Sequence, residues 1–222
     1  MKEKKIKFSI IVPVFNIEKY ISECLYSIKE QVLEENWECI VINDGSTDNS
    51  LRIIKQIISD DKRFRLISQK NQGLSAVKNL GIKKSIGDYL VFVDGDDVIN
   101  KHYLNLILQS INLYEPDVVI PKVVQSVDKP FFNVLQSNVN STLHEKKCAK
   151  EEMANPNNFG SSWSLICKNS LYENLTFPNT IFEDSFLLPK LIQKVNKLTI
   201  SHNSIYWYRI RSGSIMSSNN NE

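Results

Sequence analysis

What this 222-residue chain lacks narrows it first. No glycine stands in "PVFNIEKY", the stretch between the first apolar run and the first amphipathic segment. The GxGxxG turn of a dinucleotide-binding fold is therefore missing, and no Walker loop occurs. The four cysteines, Cys24, Cys39, Cys148 and Cys167, form no CxxC pair, and the three histidines are far apart, which argues against structural zinc. They read as reduced thiols of a cytoplasmic protein. Charge of one sign is not in excess. The 27 basic and 25 acidic residues leave a net +2, and nothing in that balance points to nucleic acid. No apolar run approaches the roughly 20 residues needed to cross a bilayer. "MKEKKIKFSIIVPVFN" starts basic, but its apolar stretch closes on Pro13 and Asn16 with no small-residue cleavage site, so it reads as a first strand and not a leader. The basic start leaves open a peripheral contact with the inner, anionic face of a membrane.

What is there alternates regularly. "FSIIVPV" (Phe8 to Val14) is a β-branched continuous run, as in a strand covered on both faces. From Glu18, Tyr20, Ile21, Cys24, Leu25 and Ile28 fall on one helical stripe. "WECIVIN" is a second strand, stopped by "DGSTDNS", and a helix with Leu51, Ile54, Ile57 and Ile58 follows. "FRLIS" is a third strand, then a helix runs from about Leu74 to Lys84. "DYLVFVD" is a fourth strand, followed by a helix with Tyr103, Leu104, Ile107, Leu108 and Ile111 in register and a strand at "DVVIP". This pattern predicts an α/β fold with a mainly parallel sheet flanked by helices. Residues 128 to 160 are polar and Asn-rich, an excursion with one helix near Glu145 to Ala154. Regularity returns at "SSWSLICKNSL" and "EDSFLLPKLIQKV", where Pro189 is awkward inside a helix. The tail "SSNNNE" reads as unstructured.

Three polar loops end strands on the same rim: "PVFN", "DGSTD" and "GDD". Ligands of open parallel sheets bind at such ends. Asp94, Asp96 and Asp97 would repel one another unless something positive sat among them. Asp94 and Asp96 flank Gly95, so both can reach one side of a tight turn, while glycine leaves room for a ligand near the backbone. A hard divalent cation, Mg²⁺ or Mn²⁺, takes one or two such carboxylates plus substrate phosphates. The competing explanation is an acidic turn leading into the helix near Asn100.

"FSIIVPVFN", "VINDGSTDNS", "NQGLSAVKNLGI", "YLVFVDGDD" and "FEDSFLLPKL", in this order, resemble the inverting nucleotide-sugar glycosyltransferases of family 2, with the GT-A fold. The resemblance runs from about Phe8 to Met216. It implies that residues 1–121 form a nucleotide-sugar-binding half and residues 122–222 an acceptor-binding half carrying the catalytic base. Pro13, Val14 and Phe15 would line the base pocket, and Asp44 would accept the imide N–H of uracil, unless it is an Asx-turn residue before Gly45. Asn71 and Gly73 would shape the next wall. Lys78 stands where the family usually carries arginine; it either helps the nucleotide, without the bidentate fork, or is a solvated helix lysine. Asp94 would meet the ribose or the metal, Asp96 would bind the metal, and Asp97 would support the turn or reach the donor sugar.

By the same resemblance Asp184 is the base that deprotonates the acceptor hydroxyl, while Glu183 beside it suits a helix N-terminus for dipole reasons alone. Trp163 would face the acceptor sugar or lie in the core. Arg209 and Arg211 share a strand face and, with the Ser-rich turn after them, would fold over the diphosphate. His202 is a possible extra ligand; His102 and His144 have no such context. The chemistry implied is metal-dependent, inverting transfer from a UDP-sugar to a hydroxyl of a glycan, lipid-linked or glycoprotein acceptor, as in capsule or cell-wall synthesis. Two other readings stay open: a nucleotidyltransferase, whose basic Gly-rich loop is missing here, and a sugar-nucleotide-binding protein without catalysis.

Overall fold

The computed structural model describes residues 7–33, 37–127, 139–155 and 161–211. The predicted Ser-rich turn and tail lie outside them. In chain order the elements are β1 (Phe8–Val14), α1 (Ile21–Lys29), β2 (Trp37–Asp44), α2 (Ser50–Ile58), β3 (Phe64–Gln69), α3 (Leu74–Lys84) and β4 (Tyr89–Phe92). There follow β5 (Val98–Ile99), α4 (Tyr103–Tyr114), β6 (Val118–Ser126), β7 (Ser141–Glu145), α5 (Lys146–Met153), β8 (Ile166–Lys168), α6 (Glu183–Lys194) and β9 (Lys197–Arg209).

One sheet contains all the described strands, in the order β3-β2-β1-β4-β8-β6-β9-β5, with β7 paired to β9. β1 is central to its parallel part: Ile11 lies between Ile40 of β2 and Phe92 of β4. Its continuous apolar run is explained by that position, since Phe8, Ile10, Ile11 and Val12 have no exposed surface on either face. The chain runs from β1 outward to β2 and β3, then returns across to β4 on the other side of β1. Right-handed crossovers therefore put α1 and α2 on one face and α3 on the other. The strand order reverses between β1 and β4, and the crevice at that switch point opens at their C-terminal ends. "PVFN" and "DGDD" stand at those two ends.

Beyond β4 the sheet is mixed. β8 inserts antiparallel between β4 and β6, and β6 then runs parallel to β9. Asp117 fixes this junction. Its carboxylate accepts from Lys168 Nζ at 2.9 Å on β8 and from the amides of Asn196 and Lys197, at 2.9 and 3.0 Å, where β9 begins. Pro121, which has no N–H to give a ladder, sits at the register shift between β6 and β9. Pro189 is accommodated within α6 because the carbonyl it orphans, on Ser185, lies on the exposed side of the helix. Leu187 and Leu191 are buried on the opposite side.

Burial pushes the Asp117 carboxyl up, but Lys168 and the two amides more than offset this and hold it below the usual carboxylate range. A depressed folded value means the contribution is complete above about pH 5 and is lost as pH falls through the lowered value. Asp117→Asn is therefore expected to lower stability by about 1 kcal/mol at neutral pH. Urea unfolding at several pH values should show that gap closing in acid.

Candidate active site

The rim loops are stitched together by their own side chains. The Asn16 amide N–H donates to Ser46 Oγ at 3.1 Å, and Asn16 Oδ1 accepts from the Thr47 N–H at 2.8 Å. The Ile17 N–H donates to Ser50 Oγ, and that of Glu18 to Asp48. Asp44, at the end of β2, binds the following wall instead of an Asx turn: Oδ1 accepts from Gln69 Nε2 (2.7 Å) and the Gln72 N–H (3.0 Å), Oδ2 from the Gly73 N–H (2.8 Å). Gly73 has φ +86° and Gly45 φ +72°, and a Cβ on Gly45 would come within 2.8 Å of the Asn71 nitrogen. Pro13 and Val14 end β1, Val14 fully buried, and Phe15 stands 48% exposed at the rim.

The acidic turn is packed onto this rim. A Cβ on Gly95 would meet Ile17 Cδ1 at 2.4 Å and the Pro13 carbonyl at 2.9 Å. Glycine is needed here for the turn to approach the first loop. The space predicted for a ligand is taken by the chain itself. From the other side β9 grips the turn. The Tyr206 hydroxyl donates to Asp97 Oδ2 at 2.7 Å and accepts from the Asp94 N–H at 3.1 Å. The Arg209 N–H donates to Asp97 Oδ1, so both oxygens of this buried carboxylate are engaged. Asp97 supports the turn, and its 1% exposure leaves it no surface for a donor sugar. Arg209 Nε donates to the Asp96 carbonyl (2.8 Å) and Arg211 Nε to Asp96 Oδ2 (2.5 Å), and Arg209 also pairs with Glu23. Both guanidinium groups lie against the Tyr20 ring. Trp163, 9% exposed, stacks on Tyr206 and Tyr208 at 5.1 Å, which makes it a buttress of the same wall.

Asp94 is different. Among the described residues nothing donates a hydrogen bond to its carboxyl. Burial pushes its pKa up to about 7, with Lys78 opposing and Asp96, Asp184 and Glu183 adding to the rise. Oδ1 of Asp96 is likewise without a donor among them. Two hard oxygen donors around one glycine, with unsatisfied negative charge, fit a divalent cation that completes its shell from a substrate phosphate and water. The described residues hold no group of three or more His, Cys, Asp or Glu side chains arranged for a metal. His202 is engaged with Thr142 at 2.9 Å.

Lys78 corrects the expectation of a solvated lysine. It is 2% exposed, and its Nζ lies 2.5 Å from Glu183 Oε1 and 3.1 and 3.2 Å from the two oxygens of Asp184. Burial disfavours its charge, but Asp184, Asp94 and Glu183 outweigh this and raise its pKa. Glu183 is thus more than a residue suited to a helix N-terminus: it is buried, and it anchors α6 to α3. Asp184 is the more exposed of the pair, at 18% for its side chain. Sequence reading missed Tyr206, Asn16 and Ser50; the alternation of Tyr206 and Tyr208 along one strand face was the available signal. A hollow of about 710 Å³ lies away from these carboxylates, between α1, β5 and the start of α4.

Residues 9–179 match the family model for glycosyl transferase family 2. Glycosyltransferase GlyA of Streptococcus pneumoniae is 33% identical over 94% of this chain, which spans 31% of that relative. GlyG of the same species is 30% identical over 94% of the chain, spanning 72% of GlyG. The crystal structure of Staphylococcus aureus TarS 1-349 in complex with UDP-GlcNAc is similar with a TM-score of 0.79 at 26% identity, covering 96% of this chain and 61% of that one. The parallel half-sheet with its loops gathered at the β1/β4 switch point is thus a GT-A fold, and the chain belongs to glycosyl transferase family 2.

Proposed function

We propose that this chain transfers a sugar from a UDP-sugar to an acceptor hydroxyl with inversion, using Asp184 as base. The observation that carries the reading is the approach of α6 to the switch point. The Asp184 carboxylate is held there by Lys78, within electrostatic reach of Asp94 on the acidic turn. A donor lying across the β1/β4 crevice would then have its diphosphate at Asp94 and Asp96 and its anomeric carbon toward α6. That TarS was crystallised with UDP-GlcNAc makes the N-acetylhexosamine donors the first to test.

In the reaction Asp184 takes the acceptor O–H proton as that oxygen bonds to the anomeric carbon and the bond from that carbon to the UDP oxygen breaks. One displacement inverts the anomeric centre. Residues 1–121 would hold the nucleotide: Phe15 at the rim with Pro13 and Val14 beneath it, and Asn71 and Gly73 as the facing wall. Asp44 Oδ2 accepts one bond among the described residues, from the Gly73 N–H, and at 3% exposure its first role is to hold the Gln72–Gly73 wall against which the base would lie. Mg²⁺ or Mn²⁺ held by Asp94 and Asp96 would supply Lewis-acid neutralisation of the departing diphosphate. Arg209, on the Asp96 carbonyl, and Arg211, on its carboxylate, would add to that neutralisation. Residues 122–222 would bind the acceptor, a glycan, lipid-linked or protein-linked hydroxyl. No helix among the described residues is long and apolar enough to cross a membrane. Cys24, Cys39 and Cys167 are buried free thiols, which supports a reducing, cytoplasmic setting.

Asp184→Asn is expected to lower UDP release from UDP-GlcNAc by about 10²- to 10⁴-fold, with UDP affinity by calorimetry nearly unchanged. Turnover like that of the parent chain would remove Asp184 from its role. Asp96→Ala is expected to weaken UDP binding in Mn²⁺ by about tenfold or more, about 1.4 kcal/mol. Equal affinity of the parent chain for UDP in Mn²⁺ and in EDTA would remove the metal.

A further inference from the structure

The buried ammonium of Lys78 joins α3, which leaves the nucleotide wall, to α6, which carries the base. An ammonium has three donors and no acceptor. In the structure three carboxylate oxygens surround it: Glu183 Oε1 at 2.5 Å, Asp184 Oδ1 at 3.1 Å and Asp184 Oδ2 at 3.2 Å. The Phe177 ring lies 5.0 Å from the nitrogen. That ring is itself held in place, because the Asn79 side chain and the Phe177 backbone exchange two hydrogen bonds, at 2.8 and 2.9 Å. With 2% of its surface exposed, Lys78 has neither a spare donor nor an open path to a phosphate.

We infer that Lys78 is a positioning residue for Asp184 and not a nucleotide contact: Glu183 fixes the ammonium, and the ammonium fixes the base. The inference rests on the reading of Asp184 as base. Glu183 is nearly as buried as Lys78 and sits at the shorter distance, so this half of the cluster has little freedom. Asp184 is more exposed and is approached by the same nitrogen through both oxygens, which limits rotation of its carboxylate while leaving outer lone pairs for a proton. A base displaced by an ångström can lose about 10²-fold in rate, so a fixed cation behind it has a kinetic consequence. The raised pKa of Lys78 keeps the cation in place across the working pH range.

The test compares Lys78→Met and Lys78→Arg in the full chain. UDP release from UDP-GlcNAc gives kcat and KM, and calorimetry with UDP and Mn²⁺ gives nucleotide affinity. Lys78→Met is expected to lose about 10²-fold in kcat with KM and UDP affinity nearly unchanged. Lys78→Arg should recover much of that loss, and adding Lys78→Met to Asp184→Asn should cost little more. Should Lys78→Met fail to fold, as the buried Glu183 carboxylate without its cation can cause, Lys78→Met with Glu183→Gln removes one charge with its partner and carries the same expectation. A loss of UDP affinity of about tenfold at constant kcat would overturn the inference and return Lys78 to the nucleotide. An unchanged kcat in Lys78→Met, with Asp184→Asn inactive, would overturn the positioning role and leave the base standing. Full activity of Asp184→Asn would overturn both, and is read independently of Lys78.

Discussion

One buried ammonium faces more negative charge than it can neutralise. Lys78 faces Glu183 and Asp184 directly and feels Asp94 across the crevice. Removing one partner from such a cluster leaves an uncompensated buried charge, typically costing about 3–5 kcal/mol. The ammonium thus fixes where α6 begins relative to α3. It does not satisfy Asp94, which keeps a raised pKa despite that neighbour. The remaining negative charge lies on the turn facing the switch point, where a cation carrying phosphate would relieve it.

The fold supports this arrangement from two sides. The parallel half of the sheet brings "PVFN" and "DGDD" to adjacent strand ends, and Gly95 lets them touch. The antiparallel half supplies the clamp: β9 reaches back so that Tyr206, Arg209 and Arg211 bind Asp94, Asp96 and Asp97 of the turn. Trp163 stacks behind Tyr206 and Tyr208, so the wall of the crevice is backed by aromatic packing. A rigid turn with engaged Asp97 and two carboxylates that keep acceptor positions is a surface shaped for a ligand that brings its own positive charge.

Much of this was legible in the sequence, for local reasons. β1, β2 and β4 are continuous apolar runs because helices cover both their faces, and α3 spans Leu74–Lys84 as its flanking loop and its pattern implied. The acidic turn stood out because like charges were crowded after a buried strand. What was not legible depends on partners distant in the chain. Lys78 was read as a nucleotide contact or a solvated lysine because its carboxylates lie 105 and 106 positions away. For Asp97 the sequence left open support of the turn or reach to a sugar, and only Tyr206, 109 positions away, decides for the turn. The insertion of β8 between β4 and β6 left no periodic mark in a three-residue strand, and Asp117 fixes it through residues on two other strands. Gly95 was read as room for a ligand because Pro13 and Ile17 are adjacent only after folding.

Two positive charges are kept apart in the proposed site: a cation with the diphosphate at Asp94 and Asp96, and the Lys78 ammonium at Asp184. A crystal structure of the chain with UDP and Mn²⁺ tests this most directly. Metal and diphosphate density is expected at Asp94 and Asp96, with Lys78 Nζ still bonded to Glu183 and Asp184. Density showing Lys78 bonded to a phosphate oxygen, or a diphosphate seated away from the acidic turn, would contradict it.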